Sequence, residues 1–388
     1  MLFSDIIGQE HIKHHLVRTV ENSRIPHAQL FIAPTGSGAL PLAIAYAQYI
    51  LCQNKGGEND NGNASCNLKF DKLMHPDLHF AFPVTTNEKV KKHPTSNSFL
   101  EEWRQFVHET PYGSLFNWYQ LLGIENKQGQ IGVDEAEEIV KKLILKPYEG
   151  GFKVMIIWMA DKMNASASNK LLKLIEEPPE KTLFLLIAEN EELIIKTILS
   201  RCQVLHIQAL TEQSIIDKLM KNHELDENQA IKIAHQSNGN WNKALHLLRH
   251  DDNELIFEKW FITWVRSAFR AKGDASVVQD LIKWSEEIAK TGRETQKRFL
   301  KYCSHFFRQA MLTNYNARSL VFFESQENNF DLEKFAPFVH GANIEDINQA
   351  IEDAIYHIER NGNAKIILLD LSMQLTRYLH QKEEKEEK

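Results

Sequence analysis

Cysteine is scarce: 388 residues hold four, Cys52, Cys66, Cys202 and Cys303, and none forms a C-x-x-C pair. A disulfide-built scaffold and a closed four-ligand zinc site are therefore excluded, and reduced thiols are expected. Long apolar runs are missing too. The longest, 154–160 and 183–188, fall far below the roughly 18 residues that span a bilayer, and the opening Met-Leu-Phe-Ser-Asp-Ile-Ile-Gly carries neither basic leader nor cleavage site. A cytoplasmic protein without a membrane segment is expected. Nor is there a positive excess: 45 Lys and Arg against 52 Asp and Glu leave a net charge of −7. That excludes a chain whose affinity comes mainly from neutralising phosphates. Proline and glycine, at 11 and 17, are too few for a fibrous or low-complexity chain.

What remains is a chain roughly two to three times the usual domain size of about 150 residues. Its first half alternates short apolar runs with amphipathic stretches, the pattern of βα units around a parallel sheet. Strands are expected at 29–32, 153–158, 182–188 and 203–207. Helices are expected at 9–22, 38–52, 133–145, 165–176 and 191–199, with apolar residues at three- and four-residue spacing. After Thr211, whose hydroxyl is a natural helix cap, three short helices are expected at 211–222, 227–236 and 241–249. Long helical patterns then come at 255–269, 295–312, 344–360 and 364–380. The Gly- and Asn-rich stretch 53–64 reads as a loop, and the last seven residues read as a solvated helix end or frayed tail. The stretch from about 80 to 130, with a helix at 99–109, reads as an insertion. Its Trp103, Tyr112, Phe116, Trp118 and Tyr119 are expected to form a local core rather than a docking face.

Behind the first strand stands Ala33-Pro34-Thr35-Gly36-Ser37-Gly38-Ala39-Leu40, followed by an apolar helix, which is the context of a phosphate-binding loop. Gly36 and Gly38 supply the bends. Ala39 stands in place of the Lys that would touch β- and γ-phosphates, and Leu40 in place of the hydroxyl that would ligate Mg²⁺. Alone, the string reads sooner as a plain strand-to-helix turn. The strand at 153–158 has the apolar lead of a Walker B strand, but Trp158 and Met159 occupy the positions of its metal-holding Asp and water-activating Glu. Asp161 comes two residues late and reads as an N-terminal acid or cap for the next helix.

These strings, with Ile7-Gly8-Gln9, Arg24-Ile25-Pro26-His27-Ala28, His75-Pro76-Asp77, Leu171-Leu172-Lys173-Leu174-Ile175-Glu176-Glu177-Pro178-Pro179 and Ser200-Arg201-Cys202 in that order, resemble the delta-prime family of bacterial DNA polymerase III subunits, in the clamp-loader branch of AAA+ proteins. The resemblance runs over about 1–249 and beyond that is only to a helical collar. It implies an α/β AAA+ domain at 1–207, with a parallel sheet, helices on both faces and the insertion at about 80–130. A helical lid at 208–250 and an all-α collar at 251–388 complete the implied organisation.

The resemblance also implies a five-membered ring that loads a sliding clamp on primed DNA, with ATPase subunits of the gamma or tau kind and a delta subunit as partners. In such rings the Arg of the Ser-Arg-Cys block acts in trans on a neighbour's nucleotide. Arg201 is then the arginine finger, with Ser200 and Cys202 as its context. The lid motif Gly239-Asn240-Trp241-Asn242 has Asn242 where a nucleotide-contacting Arg would stand. Many relatives hold zinc with four cysteines where only Cys52 and Cys66 remain, and the histidines of this stretch, His75 and His79, are expected to be structural, so no metal and no cofactor are expected. The leading function is a non-catalytic subunit that completes a neighbour's ATPase. Two alternatives stand beside it: an active clamp-loader ATPase, or a DNA-binding module on an inactive scaffold, to which the small basic patch of Lys89, Lys91, Lys92 and His93 would contribute.

Overall fold

In the computed structural model the described residues are 1–52, 64–125, 127–149, 151–223, 225–248, 252–317, 321 and 330–381. The loop expected at 53–64, apart from its last residue, and the charged tail at 382–388 lie outside them. The described residues divide into two compact units, one comprising Met1–Ile124 and Gln128–Leu248, the other almost wholly the chain beyond Leu248.

The first unit is built on five parallel strands, β1 (Ala28–Ile32), β2 (Leu78–Ala81), β3 (Lys153–Trp158), β4 (Thr182–Ala188) and β5 (Gln203–His206), in the order β2-β3-β4-β1-β5. Four of these were expected. β2 was not, because Leu78-His79-Phe80-Ala81 is short and polar at one of its four positions. Its register, Phe80 opposite Ile156, nevertheless makes it the edge strand.

Alternate strand residues point to opposite faces. Phe31, Val154, Ile156, Leu183 and Leu185 pack with α1 (Glu10–Glu21) and α2 (Ala39–Leu51), whereas Leu30, Met155, Ile157, Phe184 and Leu186 pack with α6 (Val133–Ile144) and α7 (Ala165–Glu176). Both faces are covered, which is why β3 and β4 are buried throughout and, after their first residues Lys153 and Thr182, read as apolar runs.

The remaining helices of this unit are α3 (Ala64–Asp71), α4 (Leu100–Glu109), α5 (Leu115–Leu122), α8 (Lys196–Leu199), α9 (Glu212–His223), α10 (Glu227–Ser237) and α11 (Trp241–Leu248). The single helix expected at 191–199 is instead a 3-10 turn at Glu191–Leu193 and the short α8, parted by extended backbone at Ile194 and Ile195. Asp161 does not cap α7. Asn164 does, its side chain accepting the Ala167 N–H at 2.8 Å, while Asp161 Oδ1 accepts the Glu189 N–H at 3.4 Å.

Three of the insertion aromatics, Trp103, Trp118 and Tyr119, join one core as expected, whereas Tyr112 packs instead with the helices beyond residue 211. Trp103 stacks on Phe82 at 4.1 Å and meets Trp118 edge-on at 5.4 Å. All five of the named rings are at most 9% exposed, so they offer no docking face.

The expectation of reduced thiols fails at one pair. Cys52, at the end of α2, and Cys66, in the first turn of α3, form a disulfide with Cα atoms 5.5 Å apart, inside the range a disulfide requires. Helix packing brings together two residues that their spacing of 14 does not pair by inspection, and it takes both sulfurs out of any metal site. A cross-link closing about 15 residues stabilises by about 3 kcal/mol in the chain-entropy account. Thiol titration of the denatured chain should therefore find two free thiols, Cys202 and Cys303, without reductant and four with it, and Cys52→Ser should lower stability by up to that amount. Four free thiols in the unreduced chain would contradict the pairing.

The second unit is all helical: α12 (Asp252–Ala271), α13 (Val278–Ala289), α14 (Arg293–Asn314), α15 (Leu332–Phe335), α16 (Ile344–Glu359) and α17 (Ala364–Tyr378). Aromatic pairs dominate its core. Trp264 stacks on Trp284 at 5.2 Å, Phe261 lies 4.0 Å from Phe306, and Trp264 Nε1 donates to Ser372 Oγ at 2.9 Å. Among the described residues no helix is long and apolar enough to cross a membrane.

Candidate functional site

The carboxyl ends of β1, β3 and β4 lie side by side, with Ile32 opposite Ala188 and Trp158 opposite Ile187. In parallel α/β sheets this edge is where ligands bind. The loop leaving β1 turns through Gly36 at φ +76° and Gly38 at φ +93°, and both glycines are required by more than backbone angle. A Cβ on Gly36 would lie 1.9 Å from Asn240 Oδ1, and one on Gly38 would lie 2.6 Å from Tyr112 Cε1. Ala39 and Leu40 then open α2, both buried. The Ile-Gly-Gln string sits beside this loop, with Gln9 Nε2 donating to Ser37 O at 3.3 Å and to Gln208 O at 2.7 Å.

Gly36, Gly38, Ala39 and Leu40 line one pocket together with Trp158 and Met159. Ser37 is buried beside them, its hydroxyl without a hydrogen-bond partner. The pocket holds about 30 Å³, against about 300–1,000 Å³ for sites that take small molecules. Two of its lining side chains crowd it, and a third residue fills the neighbouring space over Gly36. Trp158 is 2% exposed and is drawn into the insertion core, its ring 5.2 Å from Trp103 and 5.4 Å from Phe106. Tyr112 covers Gly38, its phenol held by the Ile7 N–H at 2.8 Å and its pKa pushed up to about 12 by burial. Asn240 fills the space over Gly36.

The charge at the mouth is also wrong for phosphate. Glu189, at the end of β4, lines the pocket, and its Oε1 accepts the Thr35 hydroxyl at 2.7 Å. A carboxylate there repels an anion, and the lining contains no cation to offset it. Each missing charged hydrogen bond to phosphate forgoes on the order of 1.5–3 kcal/mol. The residues present do not fit a nucleotide with Mg²⁺.

Asn242 is turned toward the insertion, donating from Nδ2 to Asn117 Oδ1 of α5 at 2.9 Å. The sequence pattern singled out Gly36 to Leu40, Trp158, Met159 and Asn242. It missed Tyr112, Asn117, Glu189 and Asn240, whose convergence is made by the fold. The one local signal was the Gly-Asn that opens the lid motif.

Ser200, Arg201 and Cys202 form a separate corner between α8 and β5. Arg201 Nη1 donates to Thr197 O at 3.0 Å, and Nη2 meets Glu176 Oε1 at 3.1 Å. Glu176, from the Leu-Leu-Lys to Pro-Pro string at the end of α7, is about half exposed. An ion pair of that exposure contributes only about 0–1 kcal/mol, so the guanidinium is held in place yet easily released to a stronger anion. The Cys202 thiol has its pKa pushed up to about 11 by burial, which makes it a packing residue rather than a nucleophile. In the basic patch, Lys89 pairs with Glu102 and His93 with Asp134, so part of its charge is already matched.

A family described as DNA polymerase III, delta subunit, matches residues 8–211. The delta-prime subunit of Bacillus subtilis is 28% identical over 244 residues, 63% of this chain and 60% of the relative. The tau subunit of the same organism is 27% identical over 251 residues, 63% of this chain and 37% of the relative. The match thus spans less than two thirds of either relative. A gamma-subunit-related protein of Thermotoga maritima covers 95% of this chain and 99% of its own at 14% identity, with a TM-score of 0.37. Since the family match takes in more than half of the chain, and does so over the sheet, the glycine loop after β1 and the Ser-Arg-Cys corner, the chain belongs to the DNA polymerase III delta-subunit family of clamp-loader proteins.

Proposed function

We propose that the chain is a non-catalytic, delta-prime-like subunit of a clamp loader, which binds no nucleotide itself and supplies Arg201 in trans to the ATPase site of a neighbour. The observation that carries this reading is the contrast between the two sites: a phosphate loop filled by the protein's own Trp158, Tyr112 and Asn240, and an arginine left at an open corner with a weakly held partner. A forked, permanently charged guanidinium suits γ-phosphate oxygens. Its neighbours would be ATPase subunits of the gamma or tau kind and a delta subunit in a five-membered ring. Through them it would serve a sliding clamp and primed DNA in the cytoplasm.

The likeness to tau, 27% over 251 residues, raises the competing reading of an active ATPase, and the 30 Å³ pocket argues against it. The test is to add the full chain to its ATPase partner. ATP turnover by the partner should rise on addition, while the chain alone turns over none. Hydrolysis by the chain alone would favour the ATPase reading.

A further inference from the structure

The intrusions at the phosphate loop do more than fill space. Asn240 and Tyr112 join the loop to the three-helix segment α9–α11. Trp241 N–H, at the start of α11, donates to Gly36 O at 3.1 Å. Asn240 Oδ1, which caps α11 by accepting the Lys243 N–H at 3.0 Å, is the atom seated over Gly36. Tyr112, from the insertion, shares a hydrophobic core with Ile7 and with Ile215, Leu219, Ala234 and Trp241 of the three helices, and its ring meets that of Trp241 at 6.5 Å. Asn117 Oδ1, already accepting from Ser114 N and Oγ at 3.0 and 2.7 Å, takes a further hydrogen bond from Asn242.

A ligand that touched both the phosphate loop and the position of Asn242 would tie the same two bodies together. Here residues 111–117 make that connection from within the chain. We propose that this segment of the insertion is a built-in substitute for nucleotide, fixing the three-helix segment in one orientation against the phosphate loop whether or not ATP is present. Tyr112, Asn117, Asn240 and Asn242 are its positioning residues. The proposal rests on the pocket being free of nucleotide, and it is independent of what Arg201 does.

Hydrogen exchange of the full chain, followed by mass spectrometry, tests it. In Tyr112→Ala, peptides covering α9–α11 should exchange at least about tenfold faster, with Asn242→Ala producing a smaller increase over the same peptides. Those covering β3 and β4 should be unchanged, which separates a lost tether from general destabilisation. Unchanged exchange in α9–α11, or an increase spread equally over β3 and β4, overturns the proposal. Should Tyr112→Ala not fold, Tyr112→Phe, which loses only the hydroxyl, must speed exchange at Ile7 and in α11, and no change there is equally fatal. Millimolar Mg-ATP, added to wild type, should alter no peptide. Slower exchange on its addition would refute the nucleotide-free pocket, whereas failure of the variants alone would refute only the tether.

Discussion

Replacing Arg201 by alanine is expected to slow hydrolysis at the neighbour's site by about 10³ to 10⁵, the range for removing an arginine that stabilises charge on a transferring phosphoryl group, or about 4–7 kcal/mol of activation free energy. The variant should remain folded. Arg201 is one third exposed and its ion pair to Glu176 is half in solvent, so its loss touches stability by about 1 kcal/mol or less. Arg201→Lys should recover little of the rate, because an ammonium keeps the charge but loses the planar fork that engages two phosphate oxygens. Glu176→Ala should leave turnover within a few-fold of wild type, since it removes only the resting partner. The measurement is steady-state ATP hydrolysis by the assembled complex. Equal rates for wild type and Arg201→Ala would remove Arg201 from the mechanism.

Trp158→Ala carries the largest expected cost in stability, about 3–5 kcal/mol, as for other fully buried aromatic truncations. Its ring lies between β3 and the insertion core, 5.2 Å from Trp103 and 5.4 Å from Phe106, so its removal opens a cavity that neither neighbour can close. Trp158→Asp, which would put an acid where the resemblance implies one in an active ATPase, should be worse still. It would bury an unpaired carboxylate beside the remaining aromatic rings, and such a charge is far costlier than a cavity. Trp158→Phe should cost much less than either. Urea unfolding of each variant gives the comparison. A loss under about 1 kcal/mol for Trp158→Ala, below the range for buried aromatics, would mean that the ring is not what holds the insertion to the sheet. An acid at this position would therefore not fit without disturbing the core around it.

The two predictions draw on parts of the site that differ in how plainly the sequence announced them. The place of Trp158 and Met159 at the end of β3 was legible because a buried parallel strand reads as an apolar run whose last residue can be counted. Ala39 and Leu40 were legible by similar counting, since they come directly after glycines that must bend. Arg201 was singled out by the Ser-Arg-Cys string, while its ion-pair partner Glu176 was not, because the meeting of α7 with the end of α8 is a tertiary event. Tyr112 and Asn240 sit in parts of the chain remote from Gly36 and Gly38, and nothing local marks them as the cover of those glycines.

The strand β2 escaped notice because four residues with a histidine among them carry almost no period. The helix expected at 191–199 failed because its apolar spacing continued across Ile194 and Ile195, whose backbone is extended. The Cys52–Cys66 pairing depends on the angle between α2 and α3, which spacing does not encode.

The proposed function turns on the loop after β1 being closed by the protein's own side chains. Isothermal titration of the full chain with ATP and Mg²⁺, in the absence of partners, tests that most directly. No saturable heat should appear into the millimolar range, since Glu189 lines the pocket and no cation does. Binding of one ATP per chain with a micromolar dissociation constant would contradict it.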